Sequence, residues 1–183
     1  MPIRLPIVGV LGSGTEPHEP EATQLGRWLA EEGVHLLTGG GGGVMAAVSR
    51  AFHATPGRKG LVIGVLPAGE VAGAAKPGYP NPWVEVPILT HLASTGVHGG
   101  DATSRNHINV LSSDVVIALA GSAGTLSELE LAVGYARPVI AFVATRDEIP
   151  GLPNEVTSTG SLDEVRAFVR RALAGLRLAP TGP

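Results

Sequence analysis

The sequence predicts a single α/β domain built on a doubly wound parallel sheet, with helices on both faces in a three-layer sandwich. Three observations predict it. Apolar runs of strand length recur along the chain and are continuous rather than alternating, as in strands buried on both faces. Helical patterns with one apolar stripe lie between most of them. Glycine-rich turns follow three of the runs, at "GSGT" (Gly12–Thr15), "TGGGGGV" (Thr38–Val44) and "GSAGT" (Gly121–Thr125).

Taken in order, the strands are expected at Ile7–Leu11, Val34–Leu37, Leu61–Leu66, Trp83–Ile88, Val115–Leu119 and Val139–Val143. After the first comes "EATQLGRWLAEEG", where Leu25, Trp28 and Leu29 share a face and Gly33 is the stop. In "GVMAAVSRAFHA", Val44, Val48, Ala51 and Phe52 share a face in the same way. "SRNHINVLSS" reads as a short helix opened by Arg105. The next helix is read as Thr125–Ala136, with Leu126, Leu129, Ala132 and Val133 as its buried stripe. The last is "SLDEVRAFVRRALAGL", capped by Ser161 and Glu164, with Leu162, Val165, Phe168, Val169 and Leu173 facing inward. Pro67–Pro82 and Ala93–Ser104 are rich in glycine, proline and small polar residues. They read as long loops, which in a compact domain carry function or move. The domain is set at 1–178, with 179–183 as a flexible tail.

Composition narrows the function. The 183 residues are 44% hydrophobic and 16% charged, enough for one core without staples. There is no cysteine, which excludes disulfides, thiolate catalysis and sulfur-ligated zinc. The net charge of −3, with Lys and Arg scattered, provides no basic stripe for polymeric nucleic acid. No apolar run approaches the roughly 18 to 20 residues of a membrane span, so no membrane partner is expected and a soluble, cytoplasmic protein is. His91, His98, Asp101 and His107 cluster in sequence, but their spacing matches no metal motif, and no metal site is assigned. G-x-S-x-G is absent.

In a doubly wound sheet ligands bind outside the carboxyl ends of the strands, and all three glycine turns sit at that edge. The dinucleotide fingerprint fails, because Pro17 stands where its third glycine belongs, and no GxxxxGK[ST] loop occurs. What remains is backbone N–H groups holding an anion at a helix N-terminus. Gly39, Gly40, Gly41 and Gly42 suit that role, as do Gly12 and Ser13; the alternative for the glycine run is a tight crossover against a neighbouring strand. Thr125 and Glu128 have the T-x-x-E spacing of a capping box, which alone accounts for both, and Arg105 reads equally as a surface arginine.

The motifs together say more than each alone. "TGGGGGVM", "IGVLP", "SRN" at Ser104–Asn106 and "GSAGTLSE" at Gly121–Glu128 occur in the order and spacing of the Lonely Guy (LOG) superfamily, and nearly the whole chain resembles it. Of the hallmark PGGxGTxxE, Gly121, Gly124, Thr125 and Glu128 match, while Ala120 stands for the proline and Ser122 for the second glycine. "LTGGGGGVM", "YPNPWVEVPILTHL" and "SRNHINVLSSDVVIALAGSAGTLSE" look more like the molybdenum cofactor carrier branch than the cytokinin-activating enzymes. The resemblance implies a Rossmann-like fold, a homodimer and a small phosphate-bearing ligand, with no cofactor required. In a carrier the ligand would be the molybdenum cofactor (molybdopterin), held without bond cleavage. In LOG enzymes it is a nucleoside 5′-monophosphate, hydrolysed to base and ribose 5-phosphate. There Arg105 and Glu128 would be the family's arginine and glutamate, the guanidinium holding phosphate and the carboxylate stabilising positive charge on the sugar. Gly12, Ser13, Gly39, Gly40, Gly41, Gly42, Arg105, Asn106, Gly121, Ser122, Gly124 and Thr125 are the expected ligand contacts. A third implied role is a regulatory nucleotide sensor.

Overall fold

The computed structural model describes residues 4–178, and the tail assigned to 179–183 lies outside them. The strands are β1 (Ile7–Leu11), β2 (His35–Thr38), β3 (Val62–Leu66), β4 (Val86–Leu89), β5 (Val115–Ala118), β6 (Val139–Phe142) and β7 (Thr157–Thr159). The helices are α1 (Glu21–Glu32), α2 (Gly43–Ala54), α3 (Asn106–Ser112), α4 (Ala123–Gly134) and α5 (Leu162–Leu178). Single 3₁₀ turns occupy Gly96–His98 and Arg146–Glu148.

All the strand pairs are parallel, in the order β4-β3-β2-β1-β5-β6-β7. The chain therefore runs outward from β1 to one edge, returns to β5 beside β1, and runs outward to the other edge. Alternate residues of β5 serve opposite faces. Val115, Ile117 and Leu119 pack with α1, α2 and α5 around Trp28, Phe52 and Val169; Val116, Ala118 and Ala120 pack with α3 and α4 around Val110, Leu129 and Ala132. Two cores share one sheet, and the central strands read as continuous apolar runs because neither face meets water. Gly33 ends α1 in the left-handed conformation (φ 73°), which spares the chain the Cβ clash. Among the described residues no helix is long and apolar enough to cross a membrane.

Three sequence expectations are corrected. The run Trp83–Ile88 is not a buried strand: β4 begins at Val86, lies at the sheet edge, and is exposed along its whole length. β7 is a further strand at the opposite edge. Its residues are Thr, Ser and Thr, so no apolar run announces it, and pairing with β6 alone makes it a strand. α4 starts at Ala123 rather than Thr125, and Leu126 and Val133 of its expected stripe are only half-buried.

Candidate functional site

The order of strands reverses between β1 and β5, and a crevice opens there at the carboxyl ends. The turns that border it are tied to one another through the backbone. Ser13 N–H donates to the Ala120 carbonyl at 2.9 Å, and Val44 N–H, in the first turn of α2, donates to the Ser13 carbonyl at 2.9 Å. The result is a cavity of about 220 Å³ lined by Gly12, Ser13, Gly39, Arg105, Asn106, Ser122, Gly124, Thr125 and Glu128, together with Gly14, Met45, Tyr79, Thr95 and Gly96. Gly40, Gly41, Gly42 and Gly121, also expected as contacts, are not among the lining residues. Ser13 spends its polar groups within the protein: its Oγ accepts from Thr15 N–H (3.2 Å) and Glu16 N–H (3.0 Å).

The centre of the site is a buried pair. Arg105 and Glu128 are only 6% and 8% exposed, so neither is the solvent-facing residue that a surface arginine or a capping box would be. Arg105 Nη1 donates to Glu128 Oε1 at 3.3 Å and to Asn106 Oδ1 at 2.9 Å. Asn109, one turn along α3, donates Nδ2–H to the same Glu128 Oε1 at 2.8 Å. Asn106 reaches Ser127 Oγ at 3.3 Å, and that hydroxyl bonds the Gly124 carbonyl at 2.8 Å. α3 and α4 are thus joined by polar side chains beneath the cavity. Gly39 explains how the guanidinium fits, because a Cβ there would overlap Arg105 Nη2 and lie 2.7 Å from Cζ. Two groups in this network remain unspent: Arg105 Nε and Asn109 Oδ1 are buried without a hydrogen-bond partner. Glu128 Oε2 takes no hydrogen bond among the described residues.

Burial pushes the Glu128 carboxyl above its ordinary range, against the opposing pull of Arg105 and the Asn109 hydrogen bond. Thr125 does not open the helix. It is the third residue of α4, buried, and a Cβ on Gly121 would overlap its hydroxyl. The N-cap is Ser122, which makes no side-chain cap bond, so the first turn of α4 presents its N–H groups beside the cavity that Ser122, Gly124 and Thr125 line. With the charges of Arg105 and Glu128 offsetting one another, the remaining positive field beside the cavity is that of the N-terminus of α4.

The loop Ala93–Ser104 roofs one side. Thr95 and Gly96 line the cavity, and the loop closes at its neck through a 2.8 Å Ser94–Thr103 hydroxyl contact. His107 Nε2 lies 3.2 and 3.0 Å from the carbonyls of Gly100 and Asp101, so that nitrogen carries the proton, and Nδ1 accepts from Tyr135 Oη at 2.7 Å. His98 pairs with Asp101 at 3.1 Å. These histidines tie the loop to itself and to α3 and α4. Among the described residues no group of three or more His, Asp or Glu is arranged to hold a metal ion.

Sequence reasoning missed Asn109, Met45 and Tyr79. Asn109 was findable, since it lies four residues after Arg105 on the same face of a predicted helix. Tyr79 was not, because nothing local fixes where a residue of a long loop will lie.

A doubly wound sheet with a glycine-lined cavity at its switch point defines a Rossmann-like α/β class. Within it, the model of the SLOG cluster4 family matches residues 5–167, and the chain belongs to that family. A molybdenum cofactor binding protein from the phototrophic bacterium Rippkaea orientalis is similar in structure, with 33% identity and a TM-score of 0.71 over 93% of this chain and 99% of that one. The Moco carrier protein of Chlamydomonas reinhardtii matches with 30% identity and a TM-score of 0.70, over 94% and 99%. A cytokinin riboside 5′-monophosphate phosphoribohydrolase of Oryza sativa subsp. japonica is 34% identical over 121 residues, 66% of this chain. The match spans 43% of that rice protein, less than half its length.

Proposed function

We propose that the protein binds a small phosphate-bearing ligand, a nucleotide or a pterin, at the carboxyl edge of the sheet and holds it intact, as a carrier does. The observation that carries this reading is the cavity at the N-terminus of α4, lined by Ser122, Gly124, Thr125 and the buried Arg105. Those groups suit a phosphate: backbone N–H donors and a guanidinium edge, in a site without a surplus of lysine. Size refines it. About 220 Å³ falls below the ~300–1,000 Å³ of pockets that enclose drug-sized ligands, so the cavity holds part of a nucleotide or pterin rather than the whole. The phosphate end of the molybdenum cofactor matches this donor set, and two structural relatives at 30–33% identity are named for that ligand. Mass spectrometry of protein purified from its native host tests the reading: a retained phosphorylated pterin or nucleotide supports it, and ligand-free protein that binds neither in solution overturns it.

One observation favours a second reading. Arg105 and Glu128 meet at 3.3 Å with both lining the cavity, and Glu128 Oε2 is uncommitted. A carboxylate so placed can orient water and stabilise an oxocarbenium-like sugar in N-glycosidic hydrolysis. Ala120 and Ser122 at the hallmark proline and glycine positions weigh toward carriage. Chromatographic assay for free base from AMP, GMP or a cytokinin riboside monophosphate decides. Carriage predicts none; brisk release that Glu128→Gln abolishes at an unchanged melting temperature replaces it with hydrolysis. For the quaternary state we propose a homodimer through α3 and α4, where Leu111 and Tyr135 are exposed. Sedimentation at micromolar concentration checks it, and an 18.6 kDa species alone removes it.

A further inference from the structure

The Pro67–Pro82 loop delivers one side chain to the cavity. Tyr79 is the only aromatic residue among those lining it, in a chain with three Phe, two Trp and two Tyr. Its position is enforced by Asn81, which is 6% exposed and clamps the loop onto the glycine run. Asn81 N–H donates to the Gly40 carbonyl at 2.8 Å, and its Nδ2–H to the Gly41 carbonyl at 2.9 Å. Asn81 Oδ1 then accepts from Trp83 N–H at 3.2 Å, fixing the side chain that makes the clamp. Two residues before this anchor, the Tyr79 ring lies over Gly41: a Cβ on Gly41 would stand 2.8 and 2.9 Å from ring atoms Cε1 and Cζ, and 2.8 Å from the Met45 methyl. Tyr79 and Met45 therefore form an apolar wall of the cavity, packed over the bare backbone of Gly41. Tyr79 is half-buried and lines the cavity.

We propose that Tyr79 is the specificity-determining platform for the ligand's planar heterocycle. The phosphate occupies the N-terminus of α4 and Arg105, and the ring rests on the Tyr79–Met45 wall. The inference deepens the phosphate-ligand reading and rests on it. Its physical basis is division of labour. The polar floor distinguishes anions but is indifferent to what they carry, so recognition of a ring falls to the apolar side of the cavity. An aromatic face and a polarisable thioether are the surfaces on which a heterocycle gains stacking and dispersion without a hydrogen-bond code. Gly41 lacks a side chain because one would push both groups out of line.

Calorimetric titration of GMP, AMP and ribose 5-phosphate into the wild type, Tyr79→Phe and Tyr79→Ala tests it, since ribose 5-phosphate carries phosphate and sugar without a ring. The wild type is expected to bind both nucleotides more tightly than ribose 5-phosphate. Tyr79→Ala should lose about tenfold or more in affinity for the nucleotides, in the range of base–aromatic stacking, with ribose 5-phosphate changed less than twofold; Tyr79→Phe should behave as wild type. Equal loss for all three ligands assigns Tyr79 to cavity shape and overturns the proposal. So does an unchanged nucleotide affinity in Tyr79→Ala, or a wild type that prefers ribose 5-phosphate. In those cases the phosphate reading stands; a wild type that binds none of the three removes its nucleotide form, and the platform falls with it. Should Tyr79→Ala not fold, Tyr79→Leu keeps apolar bulk, and it must lose nucleotide preference while retaining ribose 5-phosphate binding.

Discussion

Thr125 to Glu128 and Thr145 to Glu148 share the spacing T-x-x-E at the start of a helical turn, yet only the second closes a capping box. At Thr145 the backbone is extended, the Thr145 side chain accepts from Glu148 N–H, and Glu148 Oε1 accepts from Thr145 N–H at 2.8 Å. Both residues are exposed. At Thr125 the helix has already begun two residues earlier, and Glu128 turns inward to Arg105 and Asn109. The difference is what lies across the way. Nothing buries Glu148, so its carboxylate satisfies the nearest backbone donor. Glu128 faces α3, which supplies a guanidinium and an amide nitrogen to the same oxygen, and these offset part of the cost of desolvating it. The same local pattern gives a structural cap or a functional carboxylate according to the neighbouring element.

Glu128→Leu should break this comparison most severely. It leaves the Arg105 guanidinium buried without its counter-charge and the Asn109 amide without its acceptor. A loss of about 3–5 kcal/mol is expected. Glu148→Leu removes one exposed half of a cap, and about 1 kcal/mol is expected. Urea unfolding of the two variants side by side gives the ratio; equal losses would mean that the buried pair does not hold α3 to α4.

Gly39→Ala comes next. The new methyl overlaps the guanidinium, which has to swing away from Glu128, at an expected cost of about 1–3 kcal/mol for overpacking. Because Arg105 also floors the cavity, AMP or GMP affinity should fall further than stability does. Calorimetry and thermal unfolding on the same preparation separate the two. Retained affinity would show that Arg105 does not contact the ligand.

Much of this was legible in the sequence, and the limit has a physical cause. β1, β3, β5 and β6 announce themselves because burial on two faces demands continuous apolar residues, and glycine turns mark the carboxyl ends of β1, β2 and β5. β4 misleads, since Val86, Ile88 and Leu89 look like core but are exposed at an edge. β7 is silent because Thr157–Thr159 is a strand only by virtue of its neighbour β6. Within the site, Arg105 and Glu128 could be named but not assigned, because spacing within Thr125–Glu128 is the same for a cap and for a site. What separates them is the approach of residues 19 and 23 positions away in sequence. Tyr79 lies further from reach still. Its place depends on Asn81 bonding to a turn 40 residues earlier, and no local pattern encodes that contact.

The mildest test is a matched pair, Glu128→Gln and Glu148→Gln. Glutamine keeps the shape of both side chains and an oxygen for the same donors, so both changes should cost less than the leucine variants near neutral pH, Glu128→Gln more than Glu148→Gln because Arg105 loses its counter-charge. The two differ in how the effect varies with pH. Burial raises the Glu128 carboxyl in the folded protein above its value in the unfolded chain, which is near 4.3 for a free glutamate. The wild type therefore holds its full stability from this group below that pH and loses part of it as pH rises through the folded value, whereas glutamine does not titrate. The stability of Glu128→Gln relative to wild type should accordingly climb from pH 4 upward and then level off. Glu148 is exposed, and its glutamine variant is the reference for an exposed cap measured in the same way. Melting temperatures from pH 4 to pH 8 measure both. If the Glu128→Gln difference instead declines with pH, Arg105 and Asn109 outweigh burial, and the carboxyl is held as a committed anion. A carboxylate settled in that way would suit an electrostatic partner for a developing positive charge better than a group bordering a passive cradle. The sign of this one slope bears directly on whether the site carries its ligand or cleaves it.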